Sequence, residues 1–228
     1  WIPWNSPRAN IGVIGAIFRY IMPQGRPDYK TINSQDEGSV IMSIFDRLKR
    51  TPPMVSGSTP SSEYKKETFI FAALPENLSQ LQALPEAQLQ TPYQTAALTV
   101  CALCAYAADK NIGTEMLNWL RGPRPLSNFD LSFLDDRLRD GKNYVPFSYF
   151  QGATPDNDYF PTQPFKLIVE SNPTSDDTKG YFKVTIRSAG ADTPRSVQLR
   201  QKSDGTWLLW EQYLMADIRL PKSMDPWM

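Results

Sequence analysis

Chemistry needs side chains that attack, exchange protons or hold ions, and the commonest of these is missing: the 228 residues contain no histidine. That excludes Ser-His-Asp and Cys-His machinery, histidine-ligated zinc and the usual general base near neutral pH. Carboxylate pairs, Ser-Lys dyads and carboxylate-bound Mg²⁺ or Ca²⁺ stay open. Cys101 and Cys104 have the C-x-x-C spacing of redox pairs, but a redox pair sits at an exposed helix start, where the dipole lowers a thiol pKa. Here both lie inside Thr91 to Asp109, TPYQTAALTVCALCAYAAD, the longest apolar stretch of the chain. They are expected to be small core residues, and a lone pair cannot build a four-ligand zinc site.

Ser62-Glu63-Tyr64-Lys65 is formally the S-x-x-K of penicillin-binding serine enzymes. No Ser-Asp-Asn or Lys-Thr-Gly follows it, so a chance match in a serine-rich stretch is the expectation. Gly12 and Gly15 are not followed by the lysine and hydroxyl of a phosphate loop. Asp156 and Asp158, and the pair Asp176 and Asp177, resemble fragments of calcium loops but lack the spaced D-x-[DN]-x-[DN]-G pattern and its distal glutamate. They read as polar turns, and no metal or cofactor is expected.

The remaining constellation is cationic. Arg187, Arg195, Arg200 and Lys202 fall on successive expected strands, where they can be neighbours. Such a cluster suits phosphate, carboxylate or an RNA backbone, with Tyr181 and Trp207 as aromatic surface beside it. The plainer reading is the ordinary charged solvent face of an antiparallel sheet.

The elements that must position these residues follow from the apolar patterning. Thr91 caps and Pro92 opens a helix that is apolar nearly all round, so the rest of the chain must pack about it. Helices are expected over 10–22, 34–50, 114–120 and 127–139, the last capped by Ser127 with Phe129, Phe133, Leu134 and Leu138 facing the core. Thr51 to Ser62, TPPMVSGSTPSS, reads as a flexible linker between an N-terminal helical segment, 1–50, and a helical core, 63–142. The run 67–74 fits strand or helix equally. Ala-Leu-Pro-Glu occurs at 73–76 and 83–86 and marks two successive helix starts. From Asn143 the character turns to β, with strands expected over 144–150, 165–170, 181–187, 195–202 and 206–212, the last two joined by an Asp204-Gly205 hairpin. Trp207, Leu208, Leu209 and Trp210 break the alternation, so the final strand should be covered on both faces. The tail from Ile218 should lie extended against the body.

Lys plus Arg equals Asp plus Glu at 24 each, so no global field gathers nucleic acid or membrane, and no DNA partner is expected. No apolar run reaches membrane length. Two cysteines, both in one apolar helix, do not make a secreted disulfide framework, and a reducing, cytoplasmic setting is the expectation. The chain opens on Trp1 rather than methionine, which leaves room for an upstream segment.

Several segments together, Ala83-Leu84-Pro85-Glu86, TAALTVCALCAYAADK, LNWLRGPRPLS, YVPFSYFQGATPDNDY, SAGADTPRSVQLRQK and LWEQYLMADIRLPKSMDPW, resemble an uncharacterised bacterial family found largely in gut Firmicutes. The resemblance spans about residues 74–228. It implies a shared architecture and no activity or site residues.

The expected fold is α+β, a helical part packed on a C-terminal antiparallel sheet of four to six strands, with 143–228 holding the sheet and tail. That order resembles the cone-shaped ligand-binding folds of the nuclear-transport-factor type. The expected function is a non-catalytic module that binds a protein or small ligand. The alternatives are a small-molecule pocket or enzyme site between helices and sheet, using Arg187, Arg200, Tyr149 or Trp207, and RNA or anion binding through the arginine-bearing face.

Overall fold

The computed structural model describes residues 64–227. The expected helices over 10–22 and 34–50, the linker 51–62 and Ser62 of the S-x-x-K lie outside the described residues. The run left open at 67–74 is a strand, β1, Lys66–Phe71, in which exposed Thr68 and Ile70 alternate with buried Phe69 and Phe71. It pairs antiparallel with β2, Phe165–Glu170, along its whole length. Nearly a hundred residues of mostly helical chain are therefore inserted between two adjacent strands.

That insertion begins at the two Pro-Glu sites. After Pro75-Glu76, the Asn77 side chain accepts from the Gln80 N–H at 2.9 Å and starts α1, Leu78–Gln82. The second site is the 3-10 turn Pro85–Gln88. Helix α2, Pro92–Ala108, opens with a capping box: the Thr91 hydroxyl accepts from the Gln94 N–H, and the Gln94 side chain accepts from the Thr91 N–H. Every residue from Thr95 to Tyr106 is buried, Cys101 and Cys104 included. Several neighbours make this possible, the 3-10 segments Pro85–Gln88 and Lys142–Tyr149 among them. The sheet takes one side, and α3, Lys110–Arg121, takes another. α3 starts four residues earlier than the periodicity suggests, because the Asp109 carboxylate that follows α2 accepts from the N–H groups of Asn111 and Ile112. The two helices approach so closely that a Cβ on Gly113 would fall 2.1 Å from the Tyr106 Cα.

α4, Asn128–Arg137, has its Ser127–Asp130 capping box and buries Leu134, with Leu138 buried just beyond. Phe129 is corrected: it is 79% exposed rather than facing the core. At 3.6 residues per turn it lies about 140° round the helix from Leu134. The expected strand at 144–150 is also corrected, to a 3-10 helix over Lys142–Tyr149. Gly141, at φ +77°, turns the chain into it, and the buried residues Val145, Pro146, Ser148 and Tyr149 recur at three- and four-residue spacing rather than every second position.

β3, Tyr181–Ile186, β4, Arg195–Gln201, and β5, Trp207–Gln212, complete a five-stranded antiparallel sheet in sequence order, so the fold is α+β as expected. The joint between β2 and β3 is short, only Val169 opposite Ile186 and Glu170 opposite Thr185. The inner face, including Phe71, Leu167, Val169, Val184, Ile186, Val197 and Leu199, joins α2 in one hydrophobic core. Each of these side chains contributes about 2 kcal/mol by leaving water. No described helix is long and apolar enough to cross a membrane.

Beyond β5 the tail is tied down by polar contacts. Tyr149 donates its hydroxyl to the Leu214 carbonyl, Tyr159 donates to the Arg219 carbonyl at 2.9 Å, and Arg219 and Lys222 pair with Asp192 and Asp156.

Candidate functional site

The face of the sheet turned away from α2 carries the chemistry. Strand alternation puts Lys66, Thr68 and Ile70 of β1 there, Lys166, Ile168 and Glu170 of β2, Tyr181, Lys183 and Thr185 of β3, and Ser196, Gln198 and Arg200 of β4. β5 departs from alternation. Gln198 faces Glu211 and Leu199 faces Leu209, so Trp210 is the extra residue of a β-bulge. The bulge lets Leu209 point inward while Trp210 reaches the outer face, where its ring meets that of Tyr181 edge-on at 5.4 Å and 81°.

Two guanidiniums gather on this aromatic pair. Arg200 lies 5.2 Å from the centre of the Tyr181 ring and 5.0 Å from that of Trp210, and Arg124 lies 4.2 Å from the centre of the same Trp210 ring. Arg124 comes from the connector after α3. Gly122, at φ +61°, turns that connector over β5, so close that a Cβ there would meet Leu208 Cδ1 at 2.7 Å. The connector thus touches the outer side of β5 at Leu208 while α2 packs within, and apart from buried Leu209 the strand is half-buried. Among the described residues neither Arg124 nor Arg200 has a carboxylate partner, and the same holds for Lys166 and Lys183. Each cation–aromatic contact is worth about 0.5–1 kcal/mol at an exposed site, and both guanidiniums belong to exposed residues.

The neighbouring part of the face is electrically closed. Glu170, its side chain only 5% exposed, accepts from the Tyr64 hydroxyl at 2.8 Å and pairs with Lys66 at 2.7 Å and Arg187 at 3.5 Å. Burial pushes this carboxyl up, but the bonds from Lys66 and Tyr64 and the charges of Lys66 and Arg187 outweigh it and hold it below its ordinary 4.5.

The sequence-derived candidates are therefore spread over several settings. Arg200 stands in the aromatic cluster, and Arg187 serves Glu170. Lys202 pairs with Asp204 inside the hairpin turn at 2.7 Å. Arg195 falls on the inward register and donates to the carbonyls of Thr193, Ala216 and Asp217, fastening the tail. Tyr149 is buried against Leu214. Trp207 lies on the α2 side, edge-on to Phe182 at 5.8 Å, with its carbonyl accepting from Thr95. Arg124 and Trp210 are the residues that sequence reasoning missed. The signal for Trp210 was the broken alternation at 207–210, and Arg124 carried none.

An open groove of about 440 Å³ lies beside the start of β1, lined by Tyr64, Lys65, Lys66, Tyr93, Ser171, Asp176 and Phe182. Its cations are already engaged, Lys65 with Glu67 and over the Tyr93 ring, Lys66 with Glu170. Among the described residues no group of histidine, cysteine or carboxylate side chains has the arrangement of a metal site. Burial pushes the Cys101 and Cys104 thiols up and so disfavours the thiolate at both.

Helices on one face of an antiparallel sheet and a cation-aromatic patch on the other define the class: an α+β domain whose outer sheet face, among the described residues, carries exposed Arg124, Lys183 and Arg200. A family model described as a domain of unknown function, DUF6935, matches residues 73–222, and the chain belongs to that family. Strand β1 precedes the matched span although it is fully paired with β2. No curated protein and no solved structure gave a match.

Proposed function

We propose that this chain is a non-catalytic binding module that takes an anionic partner on the outer face of its sheet. The observation that carries the reading is the convergence of Arg124 and Arg200 on Trp210, neither of them in an ion pair among the described residues. Two like charges held at one indole repel each other, and an anion that bridges them removes that repulsion while gaining charge-assisted hydrogen bonds. The chain has no histidine, and its thiols are buried, which supports recognition over catalysis. A ligand pocket between helices and sheet is less well supported, because the side chains that meet there, such as Leu98, Leu103, Val184 and Leu199, are fully buried and apolar. A bacterial, reducing setting belongs to the same reading, and the two free buried cysteines agree with it.

The test is calorimetric titration with citrate at low salt. The native chain should bind, and Arg124→Ala/Arg200→Ala should bind about tenfold or more weakly, with its thermal midpoint little changed. Equal affinity in both proteins would remove the reading.

A further inference from the structure

Resting on that reading, we infer that the partner of the Arg124–Trp210–Arg200 cluster is an acidic peptide segment, a run of glutamates or aspartates laid across β3 to β5. Charge complementarity carries the argument. Along this part of the face, Arg124, Lys183 and Arg200 have no carboxylate partners among the described residues. Two carboxylates lie near it, Glu211, which accepts from the neutral Tyr213 hydroxyl at 2.8 Å, and Asp130, which pairs with Arg121 at 3.7 Å within reach of the Arg124 charge, so the cations Arg121, Arg124, Lys183 and Arg200 outnumber them. The patch is locally positive in a chain whose total charge is zero, so its field is short-ranged and matches a local run of carboxylates.

The aromatic geometry separates a peptide from a single-stranded nucleic acid. Base stacking needs an open ring face. Here the Trp210 indole is taken up by Arg124 at 4.2 Å, Arg200 at 5.0 Å and the Tyr181 ring set nearly perpendicular to it. The rings act as seats for guanidiniums, and both Arg124 and Arg200 are exposed to a partner. A planar guanidinium fork pairs in bidentate fashion with a carboxylate, which successive acidic side chains supply at side-chain reach. Lys183 stands on the neighbouring row of the face, beside Gln198, where it meets the next carboxylate.

The experiment is fluorescence anisotropy with a labelled glutamate decamer and, in parallel, a labelled thymidine decanucleotide, on the whole chain. The glutamate peptide should bind more tightly than the oligonucleotide, weaken steeply between about 50 and about 200 mM salt, and lose about tenfold in affinity with Arg200→Ala. Arg200→Lys, which keeps the charge but loses the fork, should recover only part of that loss, whereas Arg187→Ala should have little effect. If the oligonucleotide binds better at the same arginines, the peptide assignment is overturned while anion binding by the face stands. If neither probe binds although citrate does, the assignment also falls. If citrate too fails, the underlying reading falls with it.

Discussion

Glu170 is a buried carboxylate that the fold tolerates because three donors surround it. Its pKa is lowered, so the stability its pairing supplies is fully present above 4.5 and is lost as pH falls through the depressed value. Its partner Lys66 is shifted the opposite way, raised above 10.5 chiefly by the bond to Glu170, and that contribution disappears only as pH rises beyond its own pKa. Glu170→Gln should therefore destabilise the chain more at pH 7 than at pH 3 in denaturant unfolding. A loss of equal size at both values would contradict this account of the site. At this scale the sequence was informative where burial alone decides, as for Cys101 and Cys104 in a chargeless stretch. It was silent where position depends on a partner. Nothing local distinguishes Arg195, which fastens the tail carbonyls, from Arg200, which faces solvent five residues further along the same strand.

At the scale of elements, among the described residues, patterning found α2 and α4 because they carry their own caps, and found the later part of α3. Three departures have physical causes. The start of α3 depended on Asp109 serving as a cap, which apolar periodicity does not register. Tyr144 to Phe150 has the composition of a strand, yet Gly141 and the three-residue burial period make it a 3-10 helix. The bulge at Trp210 turned an apparent all-apolar strand into one with Leu209 inward and Trp210 outward. The tightest joint between elements is where α3 crosses α2. Gly113→Ala would drive a methyl group into the Tyr106 backbone, which cannot give way as a flexible side chain does. We expect a loss of about 2–3 kcal/mol in denaturant unfolding, as for other overpacked contacts. A change below about 0.5 kcal/mol would show that the helices part easily there.

For the molecule as a whole, the α+β class was readable because helical and alternating periods occupy different parts of the chain. The sheet's closure was not, since β1 is short and its partner β2 lies far along the sequence. The resulting arrangement separates tasks: one sheet face is committed to the core with α2, and the other is left to Arg124, Arg200, Tyr181 and Trp210. The claim that this second face receives an anion is tested most directly by following the tryptophan indole N–H resonances of the ¹⁵N-labelled chain during a citrate titration. The Trp210 resonance, assigned with Trp210→Phe, should shift progressively and saturate, while those of Trp119 and Trp207 stay in place. A Trp210 resonance that remains still as citrate rises, or one that moves only together with Trp119 and Trp207, would contradict it.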